Sequence, residues 1–181
     1  RTDIYYRSGG WRATWRGEGG GVLLNQCPHQ LDLLWWLFGT PTEVWAQCRF
    51  GQCHDIEVED DVTALLTYKN GATCSFITTT GETPGTNRLE IVAENGTVIA
   101  DENGLHLRKN SVPISEFCRN TEQPFGKPKV EEIKIPIDGK GGQHREILQN
   151  FVDNVLDQTP LLAPAIEGIH SVELANAMLL S

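Results

Sequence analysis

Residues 19–33 read Gly19-Gly20-Gly21-Val22-Leu23-Leu24-Asn25-Gln26-Cys27-Pro28-His29-Gln30-Leu31-Asp32-Leu33, and apolar residues continue through Phe38. Such a run is typical of a helix that is buried on most sides. Because an α-helix turns by about 100° per residue, side chains four and seven positions apart point in nearly the same direction. We therefore expect Asn25, His29 and Asp32 to form one polar stripe that faces a cleft.

The start of this helix can be predicted from two residues. Pro28 lacks an N–H group, which is tolerated only in a first turn, and Asn25 is among the preferred N-cap residues. His29 would then lie near the positive end of the helix dipole, which favours the neutral imidazole that a general base requires. The alternative is that Asn25 only caps the helix, His29 fills a core position and Asp32 is a solvated carboxylate.

The whole passage resembles the opening of a known domain. Residues 18–39, followed by Pro41 and Glu43-Val44, are similar to the start of the C-terminal domain of the glucose-fructose oxidoreductase, inositol dehydrogenase and rhizopine catabolism (Gfo/Idh/MocA) family. Further similar segments follow in order at residues 56–62, 70–72, 84–91, 150–151, 159–161, 167–168 and 171–177. The resemblance covers nearly all 181 residues.

This resemblance implies hydride transfer between NAD or NADP and a sugar, polyol or related hydroxylated carbon. In the family, an Asp-x-x-x-His pair works with a lysine of the N-terminal domain, and an acid three residues after the histidine contacts substrate hydroxyls. His29 corresponds to the histidine and Asp32 to the second acid, whereas Asn25 stands where the family has the first acid. An amide cannot carry the charge that would make a neighbouring base stronger, so we expect Asn25 to position groups rather than transfer protons.

The N-terminal segment offers two further candidates for binding. Residues 11–16 read Trp-Arg-Ala-Thr-Trp-Arg directly before the helix. Trp15 or Trp11 could stack on a sugar face, and Arg12 or Arg16 could contact hydroxyl or carboxylate groups. The alternative is that these side chains only pack within the protein.

Composition excludes several classes of function. The 181 residues suit a single domain, residues 1–181, and 15 Lys and Arg against 24 Asp and Glu give a net charge of −9, which argues against a nucleic-acid partner. Five cysteines without a Cys-x-x-Cys pair indicate neither a disulfide framework nor a zinc site, so we expect a reducing, cytoplasmic location. No apolar run approaches the roughly 20 residues of a membrane span. The acids between Asp55 and Asp61 fit no metal-binding loop, and we expect them to be solvated and no metal to be bound.

The sequence contains no Gly-x-Gly-x-x-Gly segment between a strand and a helix, which a dinucleotide-binding unit requires. The glycines of residues 17–21 fail on spacing and are better explained by close packing of the backbone. In the family, the cofactor-binding domain and its lysine precede this region. We therefore expect NAD or NADP to be bound mainly by that N-terminal Rossmann domain, and this chain alone to be inactive.

Strand and turn signals predict an α+β fold with an open, largely antiparallel sheet and helices packed on one face. Strands are predicted at residues 3–7, 44–50, 62–68, 73–79, 88–93, 97–100, 105–108 and 130–137, with hairpin turns at Asn70-Gly71, Asn95-Gly96 and Asn103-Gly104. Helices are predicted at residues 143–157 and from 164 to 180, both packed on the sheet beside the Asn25 helix, and residues 113–128 as an irregular connection. The resemblance implies a homodimer or homotetramer that forms through the open face of the sheet.

The sequence thus predicts the substrate-binding and oligomerisation domain of an NAD(P)-dependent oxidoreductase. His29 would take the hydroxyl proton, Asn25 would orient, and Asp32, Arg12 and Trp15 would hold the substrate. The alternative is a catalytically inert assembly or ligand-sensing module of the same fold, for which Asn25 in place of the acid is the main argument.

Overall fold

Seven strands at the predicted places carry the fold. The computed structural model describes residues 1–136 and 143–181. The strands are β1 (Glu43–Phe50), β2 (Glu59–Thr67), β3 (Thr73–Thr79), β4 (Leu89–Ala93), β5 (Gly96–Asp101), β6 (Gly104–Asn110) and β7 (Val130–Ile135). The helices are α1 (Asp3–Arg7), α2 (Trp15–Glu18), α3 (Pro28–Phe38), α4 (Ile114–Asn120), α5 (Gln143–Asp157) and α6 (Gly168–Leu180). Ile137, the last residue of a predicted strand, lies outside the described residues.

The described residues form two compact units, each with its own sheet. Arg1–Thr83 with Glu146–Ser181 holds the order β1-β2-β3, and Pro84–Arg145 holds β4-β5-β6-β7. Every strand pair in this part of the chain is antiparallel. The α+β class is therefore confirmed, with the strands divided between two sheets rather than joined in one.

The core of the first unit lies on one face of its sheet. Alternate residues of β2 (Val62, Ala64 and Leu66) are buried there. The segment Val22–Gln26 packs on β2, and α6 packs on β1 and on α3. On the opposite face the register places Trp45 beside Leu65, and both side chains are about half exposed. This unit therefore has helices on one face of the sheet, as predicted.

Two helices are less buried than the sequence predicts. In α3, Leu31 and Leu34 are buried but Trp36 is 71% exposed, because the helix packs along one side only. The apolar side chains of α5 are 45–73% exposed, so the prediction that α5 packs on the sheet is wrong for the described chain. Within residues 1–136 and 143–181, no helix has the length and hydrophobicity needed to cross a membrane.

Residues 3–7 form a helix and not the predicted strand. The Thr2 side chain accepts a hydrogen bond from the backbone N–H of Tyr5, and Arg7 pairs with Asp3 one turn away at 3.5 Å. These local contacts outweigh the β-forming tendency of Ile4-Tyr5-Tyr6. The helical conformation of residues 3–7 places Tyr5 beside Asn25.

The predicted irregular connection at residues 113–128 contains helix α4. Its first turn is capped by a distant residue, because Glu94 accepts hydrogen bonds from the backbone N–H groups of Ile114 and Ser115, at 2.8 and 3.1 Å. The hydrogen bond from Ser115 lowers the pKa of Glu94. Glu94 lies in the turn between β4 and β5, and a cap from so far along the chain leaves no signal in the local sequence, which explains the missed helix.

Candidate functional site

The chain enters α3 through a wider helical turn. Residues Val22–Gln26 form a π-helical turn, in which the N–H of Cys27 donates to the carbonyl of Val22 at 2.9 Å. Pro28 lies in the first turn of α3, as predicted, but the helix begins at Pro28 itself and its N-cap is Cys27 rather than Asn25. Glu59 of β2 takes that capping role for the π-helical turn, accepting from the N–H groups of Gly21 and Leu23 at 2.8 and 3.0 Å.

Close packing explains one glycine of the triple-glycine segment. A Cβ atom built on Gly21 would lie 1.9 Å from the backbone oxygen of Glu59, which cannot move aside. We expect Gly21→Ala to lower the free energy of unfolding by about 3 kcal/mol, measured by urea denaturation. The control is Gly10→Ala, because an added Cβ at Gly10 meets no atom within 4 Å. Equal stability of the two variants would contradict this packing.

Two residues of the acidic segment are buried and not solvated, contrary to the expectation. Burial raises the pKa of Glu59, although its backbone hydrogen bonds oppose that shift. Asp60 accepts hydrogen bonds from the N–H groups of Gln52, Cys53 and His54, at 2.7–3.0 Å. The Glu59 carboxylate thus holds the start of the π-helical turn, and the Asp60 carboxylate holds the loop that follows β1. Among the described residues, no group of three or more His, Cys, Asp or Glu side chains is arranged to bind a metal.

Asn25 lies in the π-helical turn, half-buried, and its side chain is held from two sides. The amide Nδ2 donates to Oε1 of Glu18 and lies 3.4 Å from the hydroxyl of Tyr5. With Nδ2 used in this way, the amide oxygen is the atom left to receive a hydrogen bond from a substrate. The geometry therefore suits a positioning role.

Glu18 is itself fixed by the loop that precedes α2. Its second oxygen, Oε2, accepts from the N–H of Ala13 at 2.8 Å. Ala13 has a φ of 66°, a left-handed conformation that is uncommon for alanine. The carbonyl of Ala13 also accepts from the N–H of Glu57 at 3.0 Å. These contacts hold the loop in a strained conformation beside Asn25.

Arg12 stacks between two aromatic rings. Its guanidinium carbon lies 4.6 Å from the ring centre of Tyr5 and 4.5 Å from that of Trp11. Its Nε atom is buried and has no hydrogen-bond partner in the described chain. The structure thus brings two predicted site residues, Arg12 and Asn25, to the same tyrosine.

The Tyr5 hydroxyl is surrounded by N–H donors. Nε2 of Gln26 lies 3.4 Å from it, and Oε1 of Gln26 is buried without a partner among the described residues. Burial alone would raise the pKa of Tyr5, but hydrogen bonds with Arg12 and Gln26 and the charges of Arg12 and Arg1 lower it overall. We call Tyr5, Arg12, Glu18, Asn25 and Gln26 the Tyr5 cluster.

His29 and Asp32 lie one turn apart on α3, and both are exposed. Neither has a hydrogen-bond or ion-pair partner within the residues that the structure describes. The spacing that predicted a common stripe with Asn25 holds only from Pro28 onward, because the π-helical turn and the break at Cys27 interrupt it. His29 and Asp32 remain available to a ligand on the open side of α3.

Trp15 begins α2 and is 45% exposed. The centre of its ring lies 5.9 Å from that of Phe50, and its backbone N–H donates to the Glu57 carboxylate at 3.3 Å. The Trp15 ring therefore packs against another aromatic side chain and is still about half exposed.

The described residues do not suit a dinucleotide. Such a cofactor binds where parallel strands with crossover helices reverse their order, and the two sheets here contain antiparallel pairs throughout the described residues. The second unit has a cleft of about 560 Å³ on its sheet. Both arginines there are paired with acids, Arg88 with Asp101 at 3.9 Å and Arg108 with Glu132 at 3.3 Å. Because these charges already compensate each other, the cleft is a weaker candidate for a ligand site than the Tyr5 cluster.

Three members of the Tyr5 cluster were not predicted from sequence. The sequence predicts a strand at Tyr5. Glu18 and Gln26 belong to no helical or strand periodicity, because a loop and not a regular element brings them to the cluster. The pairing of Thr14 as an N-cap with a glycine-terminated turn was a usable signal for α2, since the Thr14 side chain accepts from the N–H of Gly17. That signal alone does not place Glu18 against Asn25.

Comparison with known proteins gives a family match. The family model described as the GFO/IDH/MocA C-terminal domain matches residues 1–99. A search of curated proteins gives no match.

Solved structures resemble the whole chain. The WlbA dehydrogenase of Bordetella pertussis, in complex with NADH and UDP-GlcNAcA, is 25% identical with a TM-score of 0.73, and the match covers 100% of this chain and 49% of that chain. The WlbA dehydrogenase of Chromobacterium violaceum, in complex with the same two ligands, gives the same values. Biliverdin reductase of Synechocystis sp. PCC 6803, in complex with biliverdin and NADP+, is 20% identical with a TM-score of 0.70 over 94% of this chain and 48% of its own, and shows the fold alone. The chain spans about half the length of these structures.

Proposed function

Because the chain belongs to the GFO/IDH/MocA C-terminal domain family, we propose that it is the substrate-binding half of an NAD(P)-dependent oxidoreductase that acts on a sugar, polyol or related hydroxylated compound. The observation that carries this proposal is the polar surface at the start of α3, where Asn25 is fixed by Glu18 while His29 and Asp32 are exposed without partners in the described chain. The WlbA dehydrogenases, which bind NADH and UDP-GlcNAcA, support a dehydrogenase and a substrate of the sugar type.

In the proposed reaction, an alcohol carbon of the substrate is oxidised to a carbonyl. His29 accepts the hydroxyl proton, Asp32 accepts hydrogen bonds from neighbouring hydroxyls, and the amide of Asn25 orients the reacting group. The nicotinamide, held by another part of the protein, would supply the hydride acceptor. The residues of this chain therefore bind, orient and move a proton.

Assembly and location are proposed on separate grounds. The face of the three-stranded sheet that carries Trp45, Leu65 and Ile77 is exposed, and such an apolar surface suits a second copy in a homodimer or homotetramer. The five cysteines are all free, which fits a reducing compartment such as the cytoplasm.

The proposal is tested by producing the full-length protein and this chain separately. Each is incubated with NAD+ or NADP+ and a panel of sugars, polyols and sugar nucleotides, and the absorbance of the reduced nicotinamide is followed. We expect turnover by the full-length protein on at least one panel member, and none by the chain alone because it lacks a dinucleotide-binding unit in its described residues. Ligand binding without turnover by the full-length protein would favour the inert sensing module, for which Asn25 in place of an acid is the supporting observation.

A further inference from the structure

Arg12 is a half-buried cation without a carboxylate beside it. Its guanidinium is covered by the rings of Tyr5 and Trp11 at 4.6 and 4.5 Å, and no ion pair joins it to an acid in the described residues. Other arginines of the chain do have such partners, among them Arg7 with Asp3, Arg49 with Asp61 and Arg108 with Glu132. A charge removed from water is normally compensated by an opposite charge or by strong hydrogen bonds.

Unused hydrogen-bonding atoms collect at the same place. Three buried side-chain polar atoms lack a partner in the described chain, and two of them are Nε of Arg12 and Oε1 of Gln26. Both residues contact Tyr5, through the stacked ring and through the hydroxyl at 3.4 Å. A buried donor and a buried acceptor left unpaired on two residues that contact the same tyrosine indicate a missing ligand or ion.

The guanidinium of Arg12 lies against the loop that precedes it. A Cβ atom on Gly9 would lie 2.7 Å from Nη1 of Arg12, so the tip of the side chain packs directly on Gly9. With two rings against its face, the guanidinium can bind an oxyanion only through its N–H groups, which favour a forked geometry. Glu18, the nearest acid of the cluster, is already engaged by Asn25 and by the N–H of Ala13.

We infer that the Tyr5 cluster is a subsite for an anionic group of the substrate, with Arg12 binding a carboxylate or phosphoryl oxygen and Gln26 accepting a hydrogen bond from an adjacent sugar hydroxyl. This inference rests on the proposed function and narrows its substrate class to acidic sugars or sugar phosphates. Arg12 also gives the site a locally positive potential in a chain whose net charge of −9 would otherwise repel such a ligand.

The test measures binding to the full-length protein by titration calorimetry, with D-glucose, D-glucuronate and UDP-glucose as probes. We expect at least one of the two anionic probes to bind tenfold or more tightly than D-glucose. Arg12→Gln is expected to remove that preference, and Arg12→Lys, which keeps the charge but not the planar fork, to retain part of it. The control is Arg7→Gln, an exposed arginine on the helix that carries Tyr5, which should keep the full preference.

The outcomes separate the two proposals. Preference for D-glucuronate alone identifies a carboxylate subsite, and preference for UDP-glucose alone identifies a diphosphate subsite. Binding of both anionic probes no tighter than D-glucose, or no binding of either, overturns the inference even if Arg12→Gln fails to fold. An anion preference without formation of reduced nicotinamide would retain the subsite and reject the oxidoreductase, whereas turnover of neutral sugars without anion preference would do the reverse.

Discussion

Replacing His29 with alanine in the full-length protein is expected to lower kcat/KM by about 10²–10⁴-fold, the usual contribution of a positioned general base. His29 is exposed on α3 and has no partner among the described residues, so its ring nitrogens are free to contact a substrate. For the same reason the substitution should change the free energy of unfolding by less than about 0.5 kcal/mol. A large kinetic loss with unchanged stability would separate a chemical role from a structural one.

Two further measurements sharpen the His29 experiment. Added imidazole should restore part of kcat in His29→Ala, because the free base can occupy the vacated space and accept the proton. The matched control is Gln30→Ala, the next residue of α3, which is exposed and has no proposed role. A kcat/KM for His29→Ala within a few fold of the unsubstituted protein would exclude proton transfer by His29.

The sequence was sufficient for elements whose signals are local. Strand β3 and helix α5 begin and end where the alternation and the helical spacing predict, and glycines with positive φ (Gly71, Gly96 and Gly104) follow asparagines at the three predicted hairpin turns. Pro28 also occupies the first turn of α3 as predicted. In each case the residues that decide the structure are neighbours in the chain.

Contacts between distant residues account for what the sequence did not predict. Glu59 caps the π-helical turn from 36 or more positions away, and Glu94 caps α4 from the turn between β4 and β5. The Tyr5 cluster likewise depends on a left-handed alanine, Ala13, that no propensity favours. Helical spacing and the family resemblance predict Asn25 as a site residue, and the aromatic and basic segment before the helix predicts Arg12. Their shared partner, Tyr5, is found only in the three-dimensional structure.

The second large effect is expected at Asn25, where a single Asn25→Asp substitution should impair the protein although the family carries an acid at that position. The amide Nδ2 of Asn25 donates to Oε1 of Glu18. An aspartate has no N–H to donate, so two carboxylates would lie in contact, and one could ionise only at the expense of the other. We expect a loss of about 1–3 kcal/mol in the free energy of unfolding and at least a tenfold fall in kcat/KM.

A compensating change at Glu18 tests whether this contact is the cause. In the double variant Asn25→Asp/Glu18→Gln, the amide introduced at position 18 can donate to the new carboxylate, which reverses the direction of the hydrogen bond. Stability should return to near the starting value, and kcat/KM should recover with it because the side chain at position 25 is again held by a hydrogen bond to position 18. The single variant Glu18→Gln completes the cycle, and the coupling energy between the two positions should exceed about 1 kcal/mol. Additive effects of the two substitutions would mean that Glu18 does not hold Asn25 in place, and the positioning role of the amide would then have to be abandoned.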